Sequence, residues 1–405
     1  MFEYIGYICA FLAICSSLTE IIIALALRYH VKNWPRKKPE NYPAVTIISP
    51  QRGKIDPRNI DAILGQNYTG AWEVIFVTTQ DDASLPQLQK YSTEYKNVKT
   101  VIAADVVQLA EKRGIHRTQK NNNVIKAIES SSPDTEVYVF IDADTCPFSN
   151  WLGNLVAPLT TGNFKLGAVT SARVYLPGKG LASWVQASWI LNSNLFLGGK
   201  NGYLWGGGLA IPKAVFEEAN LMSQINGQGG SSIISEDNNI NVALRKQGYE
   251  TLFVPDCIVF RYPPNTKEKW LDIVRFTNRQ VLNFFWTTRI RWLVSSLITK
   301  TRMPLVLCAL AAAWWYPFSL LALLSPLIDV FMFLMIKNTL LKLAPTEEIS
   351  FKLNLWTVFT PFLTQLLGTI NFISVPFYRT MLWSGIEYTK RSVVGYTGDF
   401  SWRVK

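Results

Sequence analysis

The chain has 405 residues, a net charge of +11, an apolar fraction of 49%, and 14 Trp, 22 Phe and 16 Tyr. That length suits a soluble domain joined to membrane segments, and an aromatic-rich chain fits a membrane-interface protein. The cysteines Cys9, Cys15, Cys146, Cys257 and Cys308 are odd in number and scattered, and the only histidines are His30 and His116. A disulfide framework, a zinc site and a multi-histidine centre are thereby excluded. The positive charge is read as attraction to the cytoplasmic face of an anionic bilayer rather than to nucleic acid, because no RNP-like or zinc-finger motif accompanies it.

Residues 4–27 form an apolar run long enough to span a bilayer, interrupted by Glu20. Arg28, His30, Lys32, Arg36, Lys37 and Lys38 come after the run. A secretory signal places its charges before the apolar core. Residues 1–30 are therefore expected to be an anchor whose carboxyl end lies in the cytoplasm.

Residues 40–265 read as an α/β domain. Strands are expected at 44–50, 72–77, 99–103, 137–141 and 166–173, with helices at 58–66, 84–95, 119–130, 150–159 and 181–197. This alternation predicts a mostly parallel sheet with right-handed crossovers. The pivotal stretch is Val137-Tyr138-Val139-Phe140-Ile141, a buried strand by composition, followed by Asp142-Ala143-Asp144. Two carboxylates spaced i, i+2 at the carboxyl end of a strand suit a hard cation, Mg²⁺ or Mn²⁺, bridging to a diphosphate. The same residues also suit an ordinary strand-to-turn exit, where Asp is common.

Farther along, Trp205-Gly206-Gly207-Gly208 lies inside a strand-like run at 203–211, and consecutive glycines there imply a close approach to the backbone. A polar loop at 227–232 precedes Ser235-Glu236-Asp237, which opens a helix over 238–247. Ser235 reads as its N-cap, and the two acids suit the helix dipole whether or not they do more. Residues 266–300 carry basic and Trp residues in the pattern of an amphipathic interfacial helix. Apolar segments follow within 301–378, at 303–323, 327–341 and 356–375, and then a basic tail over 379–405. Every border is basic, so charge alone sets no membrane parity: three crossings would leave the tail outside, unless one segment is re-entrant or the first two do not both cross.

Taken together, Asp81-Asp82 after the second strand, the central Asp142-Ala143-Asp144, Trp205-Gly206-Gly207, Ser235-Glu236-Asp237 and Arg279-Gln280 before membrane helices resemble the inverting family 2 and family 21 glycosyltransferases. The likeness is to the ceramide glucosyltransferase group and its bacterial relatives, and it rests on order and spacing over about residues 1–300 and the membrane tail. It implies a GT-A-type, Rossmann-like, mostly parallel sheet flanked by helices, with an N-terminal transmembrane helix and C-terminal membrane helices. It implies a multi-pass membrane enzyme with a cytoplasmic catalytic domain, a nucleotide-sugar donor such as a UDP-sugar, a membrane lipid acceptor such as ceramide, and Mg²⁺ or Mn²⁺.

By the same resemblance, Pro50, Arg52, Asp81, Asp82, Lys120, Asp142 and Gln280 would bind the donor. Asp142 and Asp144 would hold the metal, and Trp205, Gly206 and Gly207 would face the acceptor. Asp237 would be the general base with Glu236 beside it, and Arg279 would approach the diphosphate and acceptor. Two departures stand out. Thr79 occupies the usual aspartate position, leaving Asp81 or Asp82 to serve. Phe276-Thr277-Asn278-Arg279-Gln280 lacks the leading Gln or Arg and the Trp of its motif, which favours single transfer over the processive polysaccharide synthase that is the alternative. A non-catalytic membrane scaffold is the reading from outside the enzymes.

Overall fold

The computed structural model describes residues 2–36, 39–197, 202–227, 232–264, 267–344 and 355–397. Most of the expected 227–232 loop and the last eight residues of the tail lie outside them. The chain divides into two compact units: Trp34–Arg173 with Gly199–Arg261 and Arg379–Lys405, and Met1–Asn33 with Val174–Gly198 and Tyr262–Tyr378.

In chain order, α1 (Phe2–Lys32) is followed by β1 (Val45–Pro50), α2 (Pro57–Leu64), β2 (Trp72–Thr79), α3 (Leu85–Glu94) and β3 (Val98–Ala103). Next come α4 (Val106–Arg113), α5 (Gln119–Glu129), β4 (Val137–Phe140), the two-residue β5 (Cys146–Pro147) and α6 (Trp151–Val156). The expected single strand at 166–173 is instead β6 (Leu166–Thr170) and β7 (Arg173–Tyr175), and α7 (Leu181–Ser193) follows. The run at 203–211 is a strand only at its end, as β8 (Leu209–Pro212); its glycines form a turn. Then come α8 (Lys213–Glu218), α9 (Leu221–Ile225), α10 (Glu236–Lys246), β9 (Glu250–Phe253) and β10 (Val259–Arg261).

The first unit is built on a seven-stranded sheet in the order β3-β2-β1-β4-β8-β6-β9. Strands β1, β2, β3 and β4 run parallel, and β8 is antiparallel to both neighbours, so the sheet is mixed but mostly parallel, flanked by helices as expected. Nearly every residue of β1 and β4 is buried, because both faces are covered. Ile47, Val74, Phe76 and Val139 pack to one side with Trp151, while Ile48, Ile75, Tyr138 and Phe140 pack to the other against α5 and α10. That double burial explains the unbroken apolar strand sequences. From β1 the chain moves outward through β2 and β3 and then returns to β4 on the far side of β1. The carboxyl ends of β1 and β4 therefore form a topological switch point, where ligands bind in such sheets.

The second unit gathers α1 with α11 (Trp270–Thr287), α12 (Arg289–Thr299), α13 (Arg302–Ala312), α14 (Leu324–Leu341) and α15 (Leu355–Ser374). Among the described residues four helical runs are long and apolar enough to cross a membrane: Tyr4–Lys32, Arg289–Ala312, Pro317–Leu341 and Leu355–Phe377. The second of these starts inside the stretch read as interfacial, and the expected 303–323 segment is broken at 313–316. Small side chains let the helices approach: Ala10 and Ala13 pack with Val306, Ala309 and Ala322.

Between these apolar helices lies a buried ion triad. Arg302, 2% exposed, places Nη2 2.9 Å from Glu20 Oε2 and Nη1 3.0 Å from Asp329 Oδ1. The interruption that Glu20 makes in the first apolar run is thus matched by a cation on α13. The expected basic tail also takes on structure. Residues of 379–397 form a three-stranded antiparallel sheet of β11 (Thr380–Trp383), β12 (Ile386–Thr389) and β13 (Val393–Tyr396), which belongs to the first unit. Ser384 and Gly385 both have positive φ, as a two-residue hairpin turn requires.

Replacing Arg302 alone with Met leaves two carboxylates without a counter-ion and should cost about 3–5 kcal/mol. Replacing Glu20, Arg302 and Asp329 together with apolar residues should restore most of that. Thermal unfolding in one detergent, single variant against triple, reads the difference.

Candidate active site

Lys120 lies in the first turn of α5, a helix capped by Thr118, whose Oγ1 accepts from the Asn121 amide at 3.1 Å. Its ammonium is 2.7 Å from Asp142 Oδ1, just beyond β4, and 2.5 Å from Glu236 Oε1, the first residue of α10. One cation thus joins three elements at the switch-point edge. Burial opposes the charge on Lys120, but Asp142 and Glu236, with Asp237 behind them, hold the ammonium above the ordinary lysine value. Glu236 is 2% exposed, and burial, reinforced by Asp237 and only partly offset by Lys120, pushes its carboxyl up to about 7.

Asp237 is tethered on both oxygens. Oδ2 accepts from the Gly206 amide at 3.0 Å, while Oδ1 accepts from the Asn238 amide at 2.7 Å and from the Ser235 hydroxyl. The expected N-cap is present too, with Ser235 Oγ accepting from Asn238 N. The carboxylate stays half-exposed and oriented, as a proton acceptor must be.

The glycine run owes its composition to this cluster. A Cβ on Gly206 would come 2.6 Å from Glu236 Oε1, one on Gly207 would meet Trp205 and sit 2.6 Å from Asp142 Oδ2, and one on Gly208 would overlap Ser171 Oγ. The close approach inferred from the sequence is therefore made by the chain's own side chains. Trp205 is buried, with the Arg173 guanidinium 5.0 Å from its ring centroid.

At the end of β2 the two expected acids separate. Asp82 is 1% exposed; its carboxylate accepts from the Gly53 amide at 2.9 Å, the Ser84 amide at 2.9 Å and Ser84 Oγ at 2.6 Å. It fastens the loop carrying Arg52, where Gly53 has φ +74°, to the loop after β2. Asp81 is exposed and Thr79 is buried. Pro50 ends β1 at this same edge.

Asp144 is 53% exposed and pairs with Arg261 Nε at 3.2 Å. Among the described residues no group of three or more His, Cys, Asp or Glu gathers to hold a metal. Two carboxylates nevertheless fit Mg²⁺ or Mn²⁺, which take one or two such ligands and draw the rest from substrate phosphates and water. Asp142 and Asp144 fit an ion that arrives with a diphosphate.

Arg279 and Gln280 lie on α11, in the second unit. There Gln280 Oε1 accepts from Trp189 Nε1 at 2.8 Å, and Arg279 lies 5.5 Å from the Phe276 ring. Arg173 and Arg261 were not singled out from the sequence. Each is a lone basic residue on a short strand whose aromatic or acidic partner is distant in sequence, so no local spacing marks it.

The profile of the family described as "Glycosyl transferase family group 2" matches residues 138–340. Among solved structures the chain is similar to GalNAc-T7 with UDP, GalNAc and Mn2+, at 14% identity and TM-score 0.38, covering 61% of this chain and 51% of that one. It is also similar to a mycobacterial protein, at 13% identity and TM-score 0.37, covering 62% and 79%. The chain thus spans about half the length of the first of these structures. No curated protein sequence is matched.

Between about pH 4.3, where a free glutamate ionises, and about pH 7, Glu236 keeps its proton in the folded state only. The unfolded chain releases that proton first, so this group's contribution to stability falls as pH rises through the window and then levels off. Melting temperatures of the parent and Glu236→Gln, compared from pH 4 to 8, should show the parent losing ground across the window and a constant gap above it.

Proposed function

The chain belongs to glycosyl transferase family group 2, and on that premise we propose that it transfers one glucose-like sugar from a UDP-sugar to the hydroxyl of a membrane lipid such as ceramide. The observation that carries the reading is Lys120 held between Asp142 and Glu236, with the tethered carboxylate of Asp237 beside them.

Asp237 takes the proton of the acceptor hydroxyl as its oxygen attacks the anomeric carbon. The bond from that carbon to the diphosphate oxygen breaks, its electron pair leaves with the nucleoside diphosphate, and the anomeric centre inverts. Lys120 offers positive charge where the leaving group becomes more negative. Glu236, sharing that ammonium, keeps it in place. Asp142 and Asp144 would hold Mg²⁺ or Mn²⁺ on the diphosphate, which supplies further neutralisation of the leaving group when bound. For Arg279 the role at diphosphate and acceptor rests on its motif alone, and for Pro50, Arg52 and Asp81 a donor contact rests on their place at the sheet edge. Asp82 acts through the loop it fastens.

The lipid acceptor is supported by the four apolar runs and by the bare aromatic cluster at the break after α13, where Trp314, Trp315 and Phe318 are 87%, 70% and 73% exposed. The sheet β11–β13 belongs to the same unit as β1–β4. A chain that leaves that unit after β10 and returns to it at β11 makes an even number of crossings in between. On this reading the last three apolar runs do not all cross fully, and the catalytic unit and the C-terminal sheet are both placed in the cytoplasm.

Purified protein with mixed lipids, a radiolabelled UDP-sugar and Mn²⁺ should yield label in the organic phase as a single-sugar product. Chelator should abolish it, and Asp237→Asn should lower kcat about 10²–10⁴-fold while donor binding persists. A polymeric product would favour the processive synthase, and no turnover with any donor would favour the scaffold. Cysteine-accessibility labelling should place introduced cysteines in β13 and α3 on the same side of the membrane; opposite sides would refute the even count.

A further inference from the structure

The helices that carry Lys120 and the Glu236–Asp237 pair both begin beside the C-terminal sheet. An α-helix leaves its first amides without intrahelical partners, and buried ones must find acceptors elsewhere. Gln119, the residue before Lys120, donates its amide to the Tyr388 hydroxyl at 3.3 Å. Ile233, two residues before the cap of α10, donates its amide to the Lys390 carbonyl at 3.1 Å. The Ile233 carbonyl in turn accepts from Asn121 Nδ2 at 3.0 Å, tying the approach to α10 back to α5. One hairpin, β12 and the turn after it, thus satisfies the first amide of α5 and an amide in the approach to α10, the two helices that carry the buried charges.

The sheet is built for that placement. Its register shifts between Glu387 and Tyr388, a bulge of the kind that re-aims a side chain. Tyr388 is 1% exposed, and burial pushes its phenol up to about 12, so the hydroxyl stays protonated at neutral pH. Further bonds hold the sheet down: the Val393 amide to His116 Nδ1 at 3.3 Å, and the Tyr396 hydroxyl to Asp105.

We propose that the C-terminal sheet is a brace for the transferase site, with Tyr388 as a positioning residue that sets Lys120 against Asp142 and Glu236 through the start of α5. The brace itself is a structural claim; its effect on turnover rests on the transferase reading. Losing the hydroxyl leaves the ring packed and frees one amide, so the reacting groups shift rather than disappear, and small displacements of that kind reduce rate strongly.

Two measurements on the full chain separate these parts. Amide hydrogen exchange of Tyr388→Phe should show protection reduced about tenfold at 119–123 and 233–240, with the rest of the first unit unchanged. Tyr396→Phe, which loosens β13 without touching the Gln119 amide, should leave both stretches protected. In donor turnover, Tyr388→Phe should lower kcat about tenfold with donor KM moved less than twofold. Unchanged exchange in Tyr388→Phe, or equal losses in the two variants, would overturn the brace. Altered exchange with unaltered kcat would overturn its catalytic role. If the parent itself turns over no donor, the transferase reading fails, while the exchange comparison still decides the brace.

Discussion

A lysine ammonium held between two carboxylates is the interaction on which the first unit depends. Lys120 reaches Asp142 at the end of β4 and Glu236 at the start of α10, so a helix, the central strand and a distant second helix meet at one charge. Taking these groups out of water is costly, and the arrangement is tolerable only because every partner is present. Remove the cation and two acids face each other beside a third, Asp237. Surrounding features serve this cluster: glycines leave room for its oxygens, and the Gly206 amide orients Asp237.

The second unit solves a similar problem with different residues. Arg302 sits between Glu20 and Asp329 among apolar helices, and its planar fork serves two acids from two other elements. There the triad fixes how the N-terminal helix packs with those that follow. In the first unit the corresponding charges sit at the carboxyl end of the central strand, largely buried. The same physics thus joins distant elements in both units.

Order at that edge is maintained largely by backbone amides and short polar side chains. Asp82 fastens two loops at the sheet edge, Asn121 bridges α5 to the approach of α10, and the C-terminal hairpin supplies acceptors at the start of α5 and in the approach to α10. A site made of loop ends and helix starts has many backbone groups needing partners. This chain finds several of them in its last strands.

Much of the frame could be read from the sequence, because it is local. The β-branched run before Asp142 marked the central strand, helix-strand alternation marked the parallel part of the sheet, and Ser235 marked a cap through chemistry confined to four residues. The apolar runs announced the first and last candidate membrane helices, whereas the run expected at 303–323 is divided between Arg289–Ala312 and Pro317–Leu341. What only the tertiary structure decided is pairing across distance. Strands of two to four residues, β5, β9, β10 and β11–β13, carry too little periodicity to stand out. The antiparallel insertion of β8, the partners of Arg173 and Arg261, and the division of labour between Asp81 and Asp82 all depend on which segments meet. The glycine run is the sharpest case: its sequence said that something comes close, and only the fold identified the visitors as Glu236, Asp142 and Ser171. Periodicity and capping are written into neighbouring residues, whereas a buried charge is placed by whichever distant partners the folded chain brings to it.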